Sequence, residues 1–198
     1  MDSLVPASQV IKLKSPAKTN RSTIELELEQ RLASLLLTNE KDCNKLKKKL
    51  EETDQSEIVL RKYLKDWLFE GYRKGPALDS KGQGVLHLLA SLGYTWAISL
   101  FRFAGFKLDG RDRFGWTALH WAAFYGRDGA AIVLLQEGAN PSIVTQPTKP
   151  TDEHPGGLTA AKIASDRGHN HLADYLAAVV KNPEMIMRIS AHRAKALA

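Results

Sequence analysis

Cysteine is almost absent from this chain: Cys43 is the only one in 198 residues, so no disulfide can form within it. That suits a reducing compartment and leaves stability to packing. No apolar run approaches the roughly 20 residues that a membrane-spanning helix needs. No signal peptide is visible either, so a soluble, intracellular protein is expected, with no membrane partner. Missing too are a Ser-His-Asp set, a Cys-His pair, a Gly-rich phosphate loop and any metal-ligand spacing. An enzyme is therefore not expected, nor a cofactor or metal. The positive excess of +6 is missing from the middle of the chain. Residues 1–77 carry 15 basic and 12 acidic side chains, residues 78–180 carry 9 of each, and residues 181–198 carry 4 and 1. A neutral middle is poor ground for binding a phosphate backbone, where affinity comes from clustered Lys and Arg.

What is present is a repeat. Gly82-Gln83-Gly84-Val85-Leu86-His87 recurs 33 residues later as Gly115-Trp116-Thr117-Ala118-Leu119-His120. Gly93 recurs as Gly126 and Gly105 as Gly138 at the same offset, and Gly157-Leu158-Thr159-Ala160 with Gly168 follows at 42. A period of 33 with Gly-x-Thr-Ala-Leu-His is the pattern of the ankyrin repeat. The fold class expected is an all-α ankyrin-repeat solenoid of about three repeats over residues 75–180. Helix pairs are predicted at 85–92 and 96–104, at 118–125 and 129–137, and at 160–167 and 171–180. The third pair follows a nine-residue insertion around Pro147, Pro150 and Pro155, whose prolines forbid regular structure and force it to loop out where the repeat-to-repeat hairpin sits. Gly93, Gly126 and Gly168 occupy C-cap positions that want positive φ. His87 and His120 fall in equivalent slots, and Lys162 takes the third. Backbone hydrogen bonding between repeats explains the two imidazoles better than catalysis does.

The flanks divide into a disordered leader (1–22), amphipathic helices that act as a possible coiled coil and as an N-terminal cap (23–74), and a basic tail (181–198). Leu28, Leu32, Leu35, Asn39, Cys43, Leu46 and Leu50 line one face of a predicted helix over 24–50. Two accounts of that face stay open: half of a helical hairpin packed on the repeats, or a self-association seam of Leu28, Leu32, Leu35, Leu46 and Leu50 giving a homodimer. Lys45, Lys47, Lys48 and Lys49 read as its solvated face, or else as a patch for nuclear import or an acidic partner. Asp54 with Glu57 suggests a capping box starting a second helix, whose Tyr63, Leu64, Trp67 and Leu68 would cap the first repeat.

The functional signal is aromatic crowding. Phe114, Trp116, Trp121, Phe124 and Tyr125 lie within twelve residues of the second repeat. With Arg113 they form the candidate partner-binding set on the concave face, where Trp and Tyr are favoured as hot spots. The bland account is that several of them only pack.

Beyond the generic repeat, Gly75-Pro76…Gly82-Gln83-Gly84-Val85-Leu86-His87, Phe103-Ala104-Gly105…Gly115-Trp116-Thr117-Ala118-Leu119-His120-Trp121-Ala122, and Pro147-Thr148…Pro155-Gly156-Gly157-Leu158-Thr159-Ala160-Ala161 carry a resemblance. The chain resembles the ankyrin region of the plant calmodulin-binding transcription activators. The resemblance implies a nuclear, calcium-responsive activator whose ankyrin module holds a protein partner. DNA and calmodulin binding are implied for other regions of such proteins. Nothing here resembles their DNA-binding or immunoglobulin-like domain, and the tail lacks their Ile-Gln-x-x-x-Arg pattern. Met185, Ile186 and Ile189 offer only a short, clustered set of calmodulin anchors.

Overall fold

The structure is a computed structural model that describes residues 22–37, 39–53, 55–71, 78–146 and 156–185. The leader expected at 1–22, apart from Ser22, lies outside the described residues, as do Asp54 of the expected capping box, residues 147–155 of the expected insertion and the tail from 186. Among the described residues there are nine α-helices, a π-helical turn and one isolated antiparallel bridge between Val144 and Thr159.

Helix α1 (Thr23–Leu36) opens with a capping box. The Ser22 hydroxyl accepts from the Glu25 amide at 3.1 Å, and the Ser22 amide donates to the Glu25 carboxylate at 3.3 Å. The chain turns extended at Leu37 and Asn39 starts afresh, its side-chain oxygen accepting from the Lys41 amide at 2.9 Å to cap α2 (Glu40–Glu52). The single helix expected over 24–50 is thus two helices packed as a hairpin, and the register shift after Asn39 marks the break. Leu28, Leu32, Leu35, Leu46 and Leu50 are between 0 and 2 % exposed, covered by this chain's own helices. The expected self-association seam is corrected accordingly: each buried leucine contributes about 1.5–3 kcal/mol to the monomer core and none is open to a second copy.

The repeats follow the expected outline to within a residue or two. Inner helices α4 (Val85–Leu92), α6 (Ala118–Phe124) and α8 (Ala160–Asp166) alternate with outer helices α5 (Thr95–Phe103), α7 (Asp128–Gln136) and α9 (Asn170–Lys181). Gly93, Gly126 and Gly168 make the turn between inner and outer helix at φ +80°, +62° and +80°. Small residues at the stacking faces (Ala90, Ala122, Ala123, Ala164) are fully buried, which lets neighbouring pairs approach closely.

The N-terminal helices close the open end of this stack. Helix α1 runs antiparallel to α4. Arg31 near its end donates from Nε to Asp79 at 2.7 Å and pairs with Gln83, just before α4 begins. Glu25 at its start meets Arg127 at 2.8 Å, and Arg127 also donates to the Ser91 carbonyl at the end of α4. Helix α3 (Ser56–Asp66) and the π-helical turn Trp67–Gly71 flank α5 instead. Leu60 and Leu64 are buried, Trp67 stacks on Phe101 and Phe106 at 5.9 and 6.0 Å, and the Arg61 guanidinium lies 4.5 Å above Trp96. Tyr63 and Leu68 pack half-buried on the same core. Buried Glu29 joins the layers, accepting from the Ser56 hydroxyl at 2.5 Å and the Tyr94 hydroxyl at 2.7 Å. Burial, and then the Glu29 contact, push the Tyr94 pKa upward, so the phenol stays a neutral donor.

Candidate protein-interaction surface

Each repeat begins with the same turn, and one residue governs it. Asp79 accepts through Oδ1 from the amides of Lys81 and Gln83 at 3.0 and 2.8 Å. Asp112, 33 residues on, does the same for Phe114 and Trp116 at 2.8 and 3.0 Å. Thr145 takes the slot in the third repeat, its hydroxyl accepting from the Leu158 amide at 3.0 Å. The backbone pair that closes the turn, Asp112 N to Trp116 O and Gly115 N to Asp112 O, reappears as Thr145 N to Leu158 O and Gly157 N to Thr145 O. The nine extra residues therefore leave from the tip of the third hairpin, and the turn beneath them is unchanged.

The histidines lock one hairpin to the next. His87 donates through Nε2 to the Gly110 carbonyl at 3.0 Å while Nδ1 accepts from the Gly84 amide at 3.1 Å. His120 repeats this with the Ile143 carbonyl and the Thr117 amide, both at 3.0 Å. Burial lowers both imidazole pKa values, that of His120 to about 4, so both are neutral at physiological pH. Among the described residues no fourth hairpin follows the third repeat, and Lys162 in the equivalent position pairs along its helix with Asp166 at 2.5 Å. No group of three His, Cys, Asp or Glu among the described residues could hold a metal ion.

The six residues expected to bind a partner do not form one open patch. Trp116 and Trp121 are 1 % and 5 % exposed, with ring centroids 4.8 Å apart. The reason is Asp112, whose second oxygen accepts from the Trp121 indole at 2.6 Å and turns that ring inward under the hairpin. Both tryptophans are thus corrected to core. Phe114, Phe124 and Tyr125 are half-buried, and the Arg167 guanidinium sits 3.6 Å over the Phe124 ring. Arg113 is exposed at the hairpin tip, its stem lying over Gly82.

An open apolar surface lies on the outer side, between α3 with its π-helical turn and α5. A groove of about 500 Å³ is lined there by Lys65, Leu68, Phe69, Leu100, Phe103 and Ala104. Phe69 and Phe103 are each 85 % exposed, far more than large aromatic side chains ordinarily are. The sequence carried a faint signal for them: Phe69 falls off the inward stripe of Leu60, Leu64 and Trp67, and Phe103 off that of Ala97, Ile98 and Phe101. Their 34-residue separation hid that they line one groove.

Stacked helix pairs, hairpin turns and inter-repeat histidines define an ankyrin-repeat protein, and a family profile described as ankyrin repeats in three copies matches residues 59–145. The profile starts inside the cap helix α3 and stops before the third helix pair, which the structure supplies. The repeat region is similar to stretches of plant calmodulin-binding transcription activators. It is 53 % identical over 124 residues to calmodulin-binding transcription activator CBT of Oryza sativa subsp. japonica, covering 61 % of this chain and 13 % of that protein. Calmodulin-binding transcription activator 5 of Arabidopsis thaliana is 52 % identical over 124 residues, with the same coverage. Activator 3 of the same plant is 37 % identical over 171 residues, covering 82 % of this chain and 16 % of its own length. The chain thus spans only 13–16 % of the length of these relatives. No described helix is long and apolar enough to cross a membrane.

Proposed function

We propose that this chain is a protein-binding module of a calcium- and calmodulin-responsive transcription activator, that it works in the nucleus, and that it performs no catalysis itself. The observation that carries the reading is an open apolar groove on a stack whose repeated polar groups are spent internally. His87, His120, Asp79 and Asp112 all satisfy backbone or indole groups, which leaves surface recognition as the chemistry available. The names of the relatives support the setting. On this reading DNA and calmodulin contacts are expected from other regions of a longer protein. On the concave side, Arg113 and the open edges of Phe114, Phe124 and Tyr125 are the part of the expected set still able to touch a partner.

Proximity labelling in plant cells tests this. The tagged full chain is expected to enrich a defined group of nuclear proteins over the tag alone. No enrichment at matched expression would sink the reading.

A further inference from the structure

We propose that the groove between α3 and α5 docks a short acidic amphipathic segment of a protein partner, seating two bulky apolar side chains about one helical turn apart between Phe69 and Phe103. The inference rests on the protein-binding role argued above and names the surface and the chemistry of what it holds.

The apolar part follows from shape. Lys65, Leu68 and Phe69 stand on one wall, Leu100, Phe103 and Ala104 on the other, and each set spans about one helical turn. A volume of about 500 Å³ lies within the range of clefts that hold bulky apolar groups. Two phenylalanines left 85 % exposed at its rim are the mark of a surface waiting to be covered. Helix-in-groove recognition reads anchors at this spacing.

The charge argues for acidic flanks. The stretch from Thr95 through Lys107 contains Arg102 and Lys107 and no acid. On α3, Lys62 and Lys65 lie on the face that leads to Phe69, and neither they nor Arg102 and Lys107 have an ion pair among the described residues. Glu57 is already paired with Arg61 at 3.5 Å, which leaves Asp66 on α3 and Glu70 on the π-helical turn as opposing charges against the four cations Lys62, Lys65, Arg102 and Lys107. The same argument turns away this chain's own ends. Residues 1–21 hold four cations against one acid, and residues 186–198 hold three against none.

The test uses the full chain and a fluorescein-labelled peptide of about 14 residues, with Leu and Phe four apart and Glu on both flanks, followed by fluorescence anisotropy. Saturable binding is expected. It should weaken about tenfold or more in Phe69→Ser and in Phe103→Ser, and several-fold in Lys65→Glu. It should also weaken several-fold between about 0.05 and 0.5 M salt, and about tenfold when every Glu of the peptide is replaced by Lys. Unchanged melting of the variants confirms that they fold. Equal affinity for the two peptides, no binding near 1 mM, or full binding by the serine variants would each overturn the proposal. So would a dimer, seen by light scattering, that Phe103→Ser converts to monomer, because a second copy would then fill the groove. In cells, a serine variant that still enriches the same nuclear proteins defeats the groove and leaves the binding role standing. Failure of the wild-type chain to enrich any defeats the role itself.

Discussion

Trp67 holds the cap to the stack, and replacing it should reveal how much the cap matters. The ring is 8 % exposed and wedged against Phe101 of the first outer helix and Phe106 just beyond that helix's end. A buried tryptophan covers about 150–250 Å², which at about 25 cal/mol per Å² is roughly 4–6 kcal/mol as an upper bound. Trp67 lies at the edge of the core rather than its centre, so neighbours can partly close the space, and truncation of large aromatics typically costs about 3–5 kcal/mol. We expect Trp67→Ala to cost about 3 kcal/mol, which for a chain of this size lowers Tm by about 6–12 °C. In a quasi-one-dimensional stack the loss falls on one end, so the melt should also broaden as the cap separates from the repeats. Scanning calorimetry or circular dichroism at 222 nm reads both effects. Phe69→Ala is the control: it removes an aromatic two residues away that is 85 % exposed, and should shift Tm by no more than about 1–2 °C. A Tm for Trp67→Ala within about 2 °C of wild type, or equal losses in the two variants, would refute the capping argument.

Three further outcomes are expected. His120 titrates near 6.5 when unfolded and about 4 when folded, so its contribution to stability is complete above about pH 7 and is lost as pH falls through that window. Across it the loss totals about 3 kcal/mol, His87 adds in the same direction, and His120→Gln should flatten the slope of urea-derived stability between pH 6.5 and 4; an unchanged slope would remove His120 as its source. Tyr94→Phe strips buried Glu29 of one of its two hydroxyl donors and should cost about 1–3 kcal/mol, with a change below about 0.5 kcal/mol by denaturation showing that the clasp is idle. Gly126→Ala and Gly168→Ala both place a side chain at positive φ, but only at Gly126 would the new Cβ meet a neighbour, His169 at 2.5 Å. Strain alone costs about 1 kcal/mol or a little more, so Gly126→Ala should lose roughly 1 kcal/mol beyond Gly168→Ala, and equal losses would mean that His169 moves aside freely.

Much of the stack could be read from the sequence because its requirements are local. A glycine at positive φ ends each inner helix, and once two such glycines stand 33 residues apart the helices between them have little freedom. The same locality made the insertion legible, since nine extra residues at a hairpin tip leave the turn's own hydrogen bonds intact, as Thr145 and Leu158 show. The contact that follows each of these glycines also repeats. Arg127 donates to Ser91 O at 2.9 Å, and His169, its counterpart one repeat later, to Phe124 O at 3.3 Å. Periodicity alone could not tell one helix over 24–50 from two, because α1 and α2 folded against each other satisfy the same apolar spacing as a straight seam. The difference lies in Leu37 and Asn39, where an extended residue and an N-cap cost less than leaving the leucine face in water.

The aromatic cluster misled for a related reason. Counting rings shows that large apolar area must be covered but not by what. For Trp121 the answer depended on a carboxylate nine residues earlier whose first oxygen was already committed to the hairpin, so that its second could take the indole. Once Asp112 holds the indole, Trp116 packs against it and both rings belong to the core. Phe69 and Phe103 met the opposite fate, since the stripes that bury their neighbours turn both rings toward solvent at the one groove they line. Inward and outward aromatics in this chain are therefore sorted mainly by the face on which each falls, with Asp112 fixing Trp121 inward and with Phe69 and Phe103, off the buried stripes, lining the groove.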